Sequence, residues 1–189
     1  MEAYRDRRIN SNSYFYYIDT VAKKVIHSHP NRYVRYAYWT TELAPQQIDI
    51  LPANVVIYLT QDSSQYYDPG YEVRDHDILE MWSKVAHHLA VYDYYGLSWF
   101  TPCAYPQIVI RPLRFLPTVG VKRFYCESDP YWAHTGAQLY LSTRLLWDVS
   151  LDPDELIEEW STKMFKEVAP QMRADFETLE RGWNQQSRP

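Results

Sequence analysis

Four acidic residues lie at or just beyond the C-terminal ends of stretches whose composition predicts β-strands: Glu42, Asp62, Asp93 and Glu127. In parallel α/β folds ligands bind at the carboxyl ends of the strands, where these side chains would meet. Cleavage of a glycosidic bond requires two carboxyl groups across that bond, one of them holding its proton. Asp93 and Glu127 follow neighbouring strands among aromatic residues, so they are the catalytic candidates, and Glu42 and Asp62 are substrate-binding candidates. A salt bridge or a helix cap is the alternative interpretation of each acid.

Aromatic residues are unusually frequent, with 18 tyrosines and 7 tryptophans. Such side chains combine a flat apolar face with a polar group, which suits a site that both stacks on a sugar and hydrogen-bonds to it. The candidates for this role are Trp39, Tyr95, Trp99 and Trp132. Core packing is the alternative, and we favour it for at least two of the four. Arg35 and Arg111 could bind the carboxylate of an acidic sugar, or could pair with surface acids.

Other kinds of site find little support in the sequence. His27 and His29 stand two apart on a predicted helix and so point away from each other, and His87 and His88 are adjacent. The five glycines form no phosphate-binding loop, and Ser98 is not in a Gly-X-Ser-X-Gly elbow. We therefore expect neither a metal nor a cofactor.

Composition limits the partners and the compartment. The chain has 189 residues, 46% hydrophobic and 23% charged, with a net charge of −5, which argues against a nucleic-acid partner. No stretch approaches the ~20 apolar residues of a membrane span. The N-terminus lacks the apolar segment of a signal peptide, which leaves the compartment unknown, since a full-length parent could still be secreted or periplasmic. Cys103 and Cys126 are expected to be free thiols rather than a disulfide.

The periodicity predicts an α/β domain. After a lead-in over residues 1–11, residues 12–189 are expected to form a single domain. The predicted strands are 33–39, 54–60, 89–95 and 121–126. The predicted helices are 13–29, 75–89, 105–118 (short and irregular), 135–147, one from Pro153, and 170–183. Four parallel strands do not close a barrel, which usually needs ~250 residues, so the chain is either an open sheet or the C-terminal half of something longer.

Five short segments carry a resemblance to a known family. They are Tyr36-Ala37-Tyr38, Leu51–Val56, Leu89–Tyr95, Gly120-Val121-Lys122 leading to Glu127, and Leu145-Leu146-Trp147-Asp148. In this order and spacing, over residues 12–183, the chain resembles the C-terminal part of bacterial proteins carrying domain of unknown function 4838. These proteins look like glycoside hydrolases with a (β/α)8 barrel, distantly similar to hexosaminidases and α-glucuronidases. The resemblance implies a C-terminal half-barrel whose strands are the fifth to eighth, without the acid that related hydrolases place after the fourth strand.

Two functional hypotheses follow. The first is a carbohydrate-active, glycoside-hydrolase-like domain that is an inactive fragment when alone, with a glycan as substrate and the missing N-terminal half-barrel as partner. The second is a non-catalytic carbohydrate-binding or structural α/β domain. A further expectation is self-association through open sheet edges, because unpaired edge strands tend to pair with other chains.

Overall fold

The computed structural model describes residues 2–37, 43–95, 104–127 and 132–186. The helices are α1 (Glu2–Ser28), α2 (Pro69–Ser83), α3 (Ile110–Phe115), α4 (Trp132–Trp147), α5 (Pro153–Phe165) and α6 (Ala169–Asn184). The strands are β1 (Val34–Ala37), β2 (Val55–Gln61), β3 (Leu89–Asp93) and β4 (Val121–Cys126). Of the predicted site residues, Trp39, Glu42 and Trp99 lie outside the described residues, as do Ser98 and Cys103.

The four strands form one sheet in the order β1-β2-β3-β4, and every neighbouring pair is parallel. This confirms the predicted fold class, an α/β protein with four parallel strands and additional helices, consistent with a partial barrel-like fold. Runs of β-branched and aromatic residues identify the strands because such side chains pack well on a pleated surface. Gly120 precedes β4 with φ of +80°, a left-handed conformation that favours glycine.

Helix α4 begins three residues before its predicted start, and α1 and α2 begin earlier than predicted by a larger margin. Helix α1 starts at Glu2, so the lead-in expected over residues 1–11 is helical, because glutamate, alanine and arginine are good helix formers even where no apolar stripe marks them. Helix α2 starts at Pro69 rather than near Asp75. Proline is favoured in a first helical turn, and the Asp68 carboxylate accepts a hydrogen bond from the Gly70 backbone N–H at 2.9 Å.

The described chain divides into two compact units. The first comprises residues 1–61, 73–93 and 118–126, and therefore contains the sheet, α1 and most of α2. Within it, Phe15 of α1 packs edge-on against Tyr36 of β1 and against Trp82 of α2, with ring centroids 5.3 and 4.7 Å away. The Asn54 side-chain amide donates to the Ala22 carbonyl at 2.9 Å, fastening α1 to the start of β2.

The second unit comprises residues 62–72, 94–117 and 127–189. Its core is centred on Trp160 of α5, which packs with the buried residues Phe176, Ala137 and Ala104. A Cβ added at Gly136 would lie 3.2 Å from the Trp160 ring, so glycine at this position lets α4 approach α5 closely. Asp152 caps α5 as predicted: its carboxylate accepts from the backbone N–H groups of Asp154 and Glu155.

Candidate functional site

The carboxyl ends of three strands lie side by side in the first unit. Gln61, Asp93 and Cys126 are register partners in β2, β3 and β4. Asp93 is 3% exposed. Because side chains alternate along a strand, Asp93 lies on the same side of the sheet as Tyr36, the side on which Phe15 packs.

The pKa of the Cys126 thiol reflects its burial and its proximity to Asp93. Burial raises the pKa of Cys126 to about 11, and the negative charge of Asp93 raises it further in the same direction. A thiol with a raised pKa is protonated at neutral pH and is a poor nucleophile. Cys126 is free, as expected, and its environment does not activate it for catalysis.

The opposite side of the sheet carries a polar aromatic surface near the same strand ends. Its side chains, here called the tyrosine face, are Tyr58 and Thr60 of β2, Tyr92 of β3, and Arg123 and Tyr125 of β4. The Tyr92 and Tyr125 rings are stacked, with centroids 4.8 Å apart and planes 30° apart. Tyr125 is 52% exposed. None of these five side chains is a carboxylate.

The residues of the tyrosine face are not among the site residues predicted from the sequence. The usable signal is the alternation of Tyr92 and Tyr125 with buried or apolar neighbours in two strands. Recognising the pair also requires the register of β3 against β4. That register shifts between Leu89 and Ala90, and the shift cannot be read from either strand alone.

Asp62, predicted to bind substrate, caps a short 3-10 turn over Ser63–Gln65 in the second unit. One oxygen of its carboxylate accepts from the backbone N–H of Ser64 at 3.2 Å and from the Ser64 hydroxyl at 2.6 Å. The Trp183 indole N–H of α6 donates to the Ser64 carbonyl at 2.7 Å. These contacts stabilise the conformation of the segment after β2. The role of Asp62 in them is that of a helix cap, the alternative interpretation of this acid.

Arg111 of α3 makes a two-bonded ion pair with Glu72 at the start of α2, with nitrogen–oxygen distances of 3.1 and 2.7 Å. It also donates to the Tyr66 carbonyl at 3.4 Å. The hydrogen bond to Glu72 raises the pKa of Arg111. Arg111 therefore pairs with an acid of the protein, the alternative to binding a sugar carboxylate.

Tyr95 follows β3 with a φ of +45°, an uncommon conformation for a residue with a side chain. Its side chain is buried and its hydroxyl lies 2.5 Å from the Ser142 hydroxyl of α4. The Ser142 hydroxyl also donates to the Gln138 carbonyl at 2.6 Å. This hydrogen bonding anchors the chain as it leaves β3.

The remaining predicted site residues in the described part of the chain are Glu127 and Trp132. Glu127 directly follows β4, is partly buried and belongs to the second unit, whereas Asp93 belongs to the first. Trp132 is the first residue of α4, and its side chain lies outside the described part of the structure. The catalytic roles of Asp93 and Glu127 stay predictions.

A cavity of about 70 Å³ lies within the second unit, between α5, α6 and the segment before α3. The α6 residue Glu180 lines it and is 7% exposed. Its carboxylate accepts from the Gln107 backbone N–H at 2.7 Å and from that of Ile108. Burial raises the pKa of Glu180 to about 7, although those hydrogen bonds oppose the shift. Glu180 lies four residues after Phe176 and three before Trp183, so helical spacing is the sequence signal that could have placed it on the packed side of α6.

Among the described residues there is neither a cluster suited to a metal ion nor a helix suited to a membrane. No group of three or more histidine, cysteine, aspartate or glutamate side chains is placed to hold a metal ion. No described helix is both long enough and apolar enough to cross a membrane.

Comparison with known proteins gives one result. The family model described as Domain of unknown function (DUF4838) matches residues 1–177. Neither the curated proteins nor the solved structures include a match. The matched segment takes in all four strands and the first five helices completely, together with the first half of α6. The chain therefore belongs to the family Domain of unknown function (DUF4838).

Proposed function

We propose that this domain acts on glycans as part of a glycoside-hydrolase-like protein, and that its tyrosine face binds the sugar. The observation that carries the proposal is the stacked Tyr92–Tyr125 pair near the carboxyl ends of parallel strands, with Tyr125 half-exposed. Ligands of parallel α/β folds bind at those ends. The flat apolar side of a pyranose ring packs on aromatic rings, and hydroxyl groups nearby bind its polar edge.

The neighbours of this pair fit a polyhydroxylated ligand. Thr60 is the register partner of Tyr92 and offers a hydroxyl that can donate and accept. Arg123 lies on the same side of β4 and is partly buried. Its guanidinium presents several donors in a fixed plane, which suits a hydroxyl pair or a sugar carboxylate.

The acids of a hydrolytic reaction must come from outside the tyrosine face, since that face carries no carboxylate. We propose that Glu127, directly after β4, assists by binding the substrate or by supporting the acid–base chemistry. Asp93, at the end of β3, is buried on the side of the sheet opposite the tyrosine face, so we propose that it acts by supporting the strand ends rather than by touching the sugar. Asp93→Asn and Glu127→Gln in the natural protein test this role. Loss of turnover with retained glycan binding supports it, whereas unchanged turnover in both variants contradicts it.

A non-catalytic carbohydrate-binding domain is the second candidate. The observation in its favour is the same lack of a carboxylate on the tyrosine face, because retaining and inverting hydrolysis both require two carboxyl groups beside the bound sugar. Under this proposal, glycan binding persists in Asp93→Asn and Glu127→Gln, and no hydrolysis is found with the natural protein.

Binding itself can be measured on this chain with soluble oligosaccharides of neutral hexoses, N-acetylhexosamines and hexuronic acids, by calorimetry or NMR. We expect Tyr125→Ala to weaken the binding roughly tenfold through loss of stacking. Tyr17→Ala is the matched control, since Tyr17 is an exposed tyrosine on α1, the helix that packs through Phe15 on the other side of the sheet. Equal affinity of wild type and Tyr125→Ala, or no binding of any oligosaccharide, would contradict the proposed sugar site.

A further inference from the structure

The cavity in the second unit combines acidic and aromatic walls. Its carboxylates are Asp154 on α5 and Glu177 and Glu180 on α6, and its aromatic side chains are Trp160 and Phe176. The two rings meet edge to face, with centroids 5.4 Å apart. The lining of the cavity is therefore partly aromatic and partly negatively charged.

The cavity has an excess of negative charge. Arg173 is the positively charged residue among those that line it, and its guanidinium is paired with the carboxylate of Glu158 on α5. Among the described residues that line the cavity, no second positively charged side chain balances the three carboxylates. Glu180 is the most buried of them, and the cost of keeping a buried charge falls when a cation lies beside it.

The cation that suits this cavity is a polyatomic one. A metal ion requires several ligand atoms converging on one point, and the described residues hold no such group of acidic, histidine or cysteine side chains. Carboxylates spread around a space of about 70 Å³ can instead each accept a hydrogen bond from a different N–H of an organic cation. Aromatic faces attract the same kind of cation.

We propose that this cavity binds the protonated amino group of a small aliphatic amine, with Glu180 as the principal ion-pair partner and Trp160 and Phe176 as the apolar wall. The inference does not rest on the proposed glycan function, because its residues lie within the second unit and the tyrosine face lies within the first. Gln107 holds Glu180 in place, since its backbone N–H donates to the carboxylate.

The ionisation of Glu180 sets the pH dependence of binding. Burial raises its pKa to about 7, and the charge of neighbouring Glu177 acts in the same direction. The other charged groups lining the cavity are Asp154 and Arg173, the latter paired with Glu158. Because an ammonium group pairs with the ionised carboxylate, affinity should increase as pH rises through 7 and then level off.

The test is an NMR titration of the full chain with ethylammonium chloride, using ethanol as the neutral probe of similar size and sodium chloride as the salt control. We expect saturable shifts of the Trp160 indole and Gln107 amide signals with ethylammonium alone. Glu180→Gln keeps an acceptor for the Gln107 N–H but removes the charge, and should weaken binding about tenfold and abolish its pH dependence. Asp175→Asn, an exposed charge change on the same helix, should leave both unchanged.

Several outcomes would overturn the proposal. They are a lack of saturation with ethylammonium, equal shifts with ethanol, and equal binding by wild type and Glu180→Gln. If Glu180→Gln does not fold, Glu177→Gln and the wild-type pH profile decide the question. Weaker binding in Glu177→Gln together with affinity rising through pH 7 supports the ammonium site, and a flat profile contradicts it.

Discussion

Burial changes the chemistry of single residues most clearly at Cys126 and Glu180. Asp93 and Cys126 are register partners, and the carboxylate of the one disfavours the thiolate of the other. Glu180 is a carboxyl group with a pKa of about 7, the value expected of a general acid, but its partners are backbone N–H groups of the segment before α3. A shifted pKa therefore identifies an unusual environment, and the contacts around the group decide what it does there.

Glu180 makes the stability of the chain depend on pH. Its pKa is raised from 4.5 to about 7 in the folded state, so the fold binds a proton there more tightly than the unfolded chain does. The free energy of unfolding should therefore fall as pH rises from about 4.5 to about 7, by at most about 3 kcal/mol from this group. Glu180→Gln should remove this part of the fall.

Urea denaturation of wild type and Glu180→Gln at several pH values between 4.5 and 8 measures the effect. Asp175→Asn serves as control, because it alters an exposed carboxylate of the same helix. A difference between wild type and Glu180→Gln that is the same at every pH would contradict the expectation.

At the scale of elements, side chains at the helix ends determine where the chain turns. Asp152 caps α5 and Pro153 occupies its first turn, so the residue types alone predict where this helix begins. The segment after β2 is held by Asp62 and by the indole of Trp183, which is far away in the chain. Local capping can be read from residue types, but a contact across so many residues exists only once α6 has packed.

Replacing the α5 cap tests how far one local signal stabilises the fold. Asp152→Ala removes the acceptor for two backbone N–H groups at the start of the helix and should lower the free energy of unfolding by about 1 kcal/mol. Asp152→Asn, which retains an acceptor, should lose much less. Thermal or urea unfolding measures both variants, and equal losses would show that charge rather than capping matters at this position.

At the scale of the whole molecule, the described sheet has two outer strands, β1 and β4, which each pair on one side. The backbone N–H of Val34 donates to the Asn54 carbonyl of the adjoining segment. Because alternate residues of a parallel strand face opposite neighbours, the N–H of Arg35 faces the outer edge. An outer edge of this kind can take a further strand, whether from another copy or from another part of the natural protein.

We expect the chain to self-associate through this edge as its concentration rises. Arg35→Pro removes the outward N–H and should reduce association, while β1 still pairs with β2 through Val34. Arg35→Ala removes the same side chain but keeps the N–H, so it should associate like wild type. Size-exclusion chromatography over a concentration series measures the oligomeric state of the wild type and both variants. A wild type that stays monomeric at all concentrations would contradict the expectation.

The sequence by itself determined the fold class, the positions of the four strands and the cap of α5, because these depend on residue types within short segments. It also supported the family resemblance through five short motifs. The sequence pattern predicted the starts of α1 and α2 too late. For α1 the reason is that the first residues favour a helix but carry no apolar stripe, so they were predicted to be a lead-in.

Only the tertiary structure decided which side chains meet. The stacking of Tyr92 on Tyr125, the pairing of Arg111 with Glu72 and the burial of Glu180 each join segments that are distant in the chain. The packing of Phe15 on Tyr36 identifies the side of the sheet on which Asp93 lies, and this contact joins two distant segments. Strands form from local preference, whereas register, burial and pairing depend on the packing of the whole chain, which no short segment encodes.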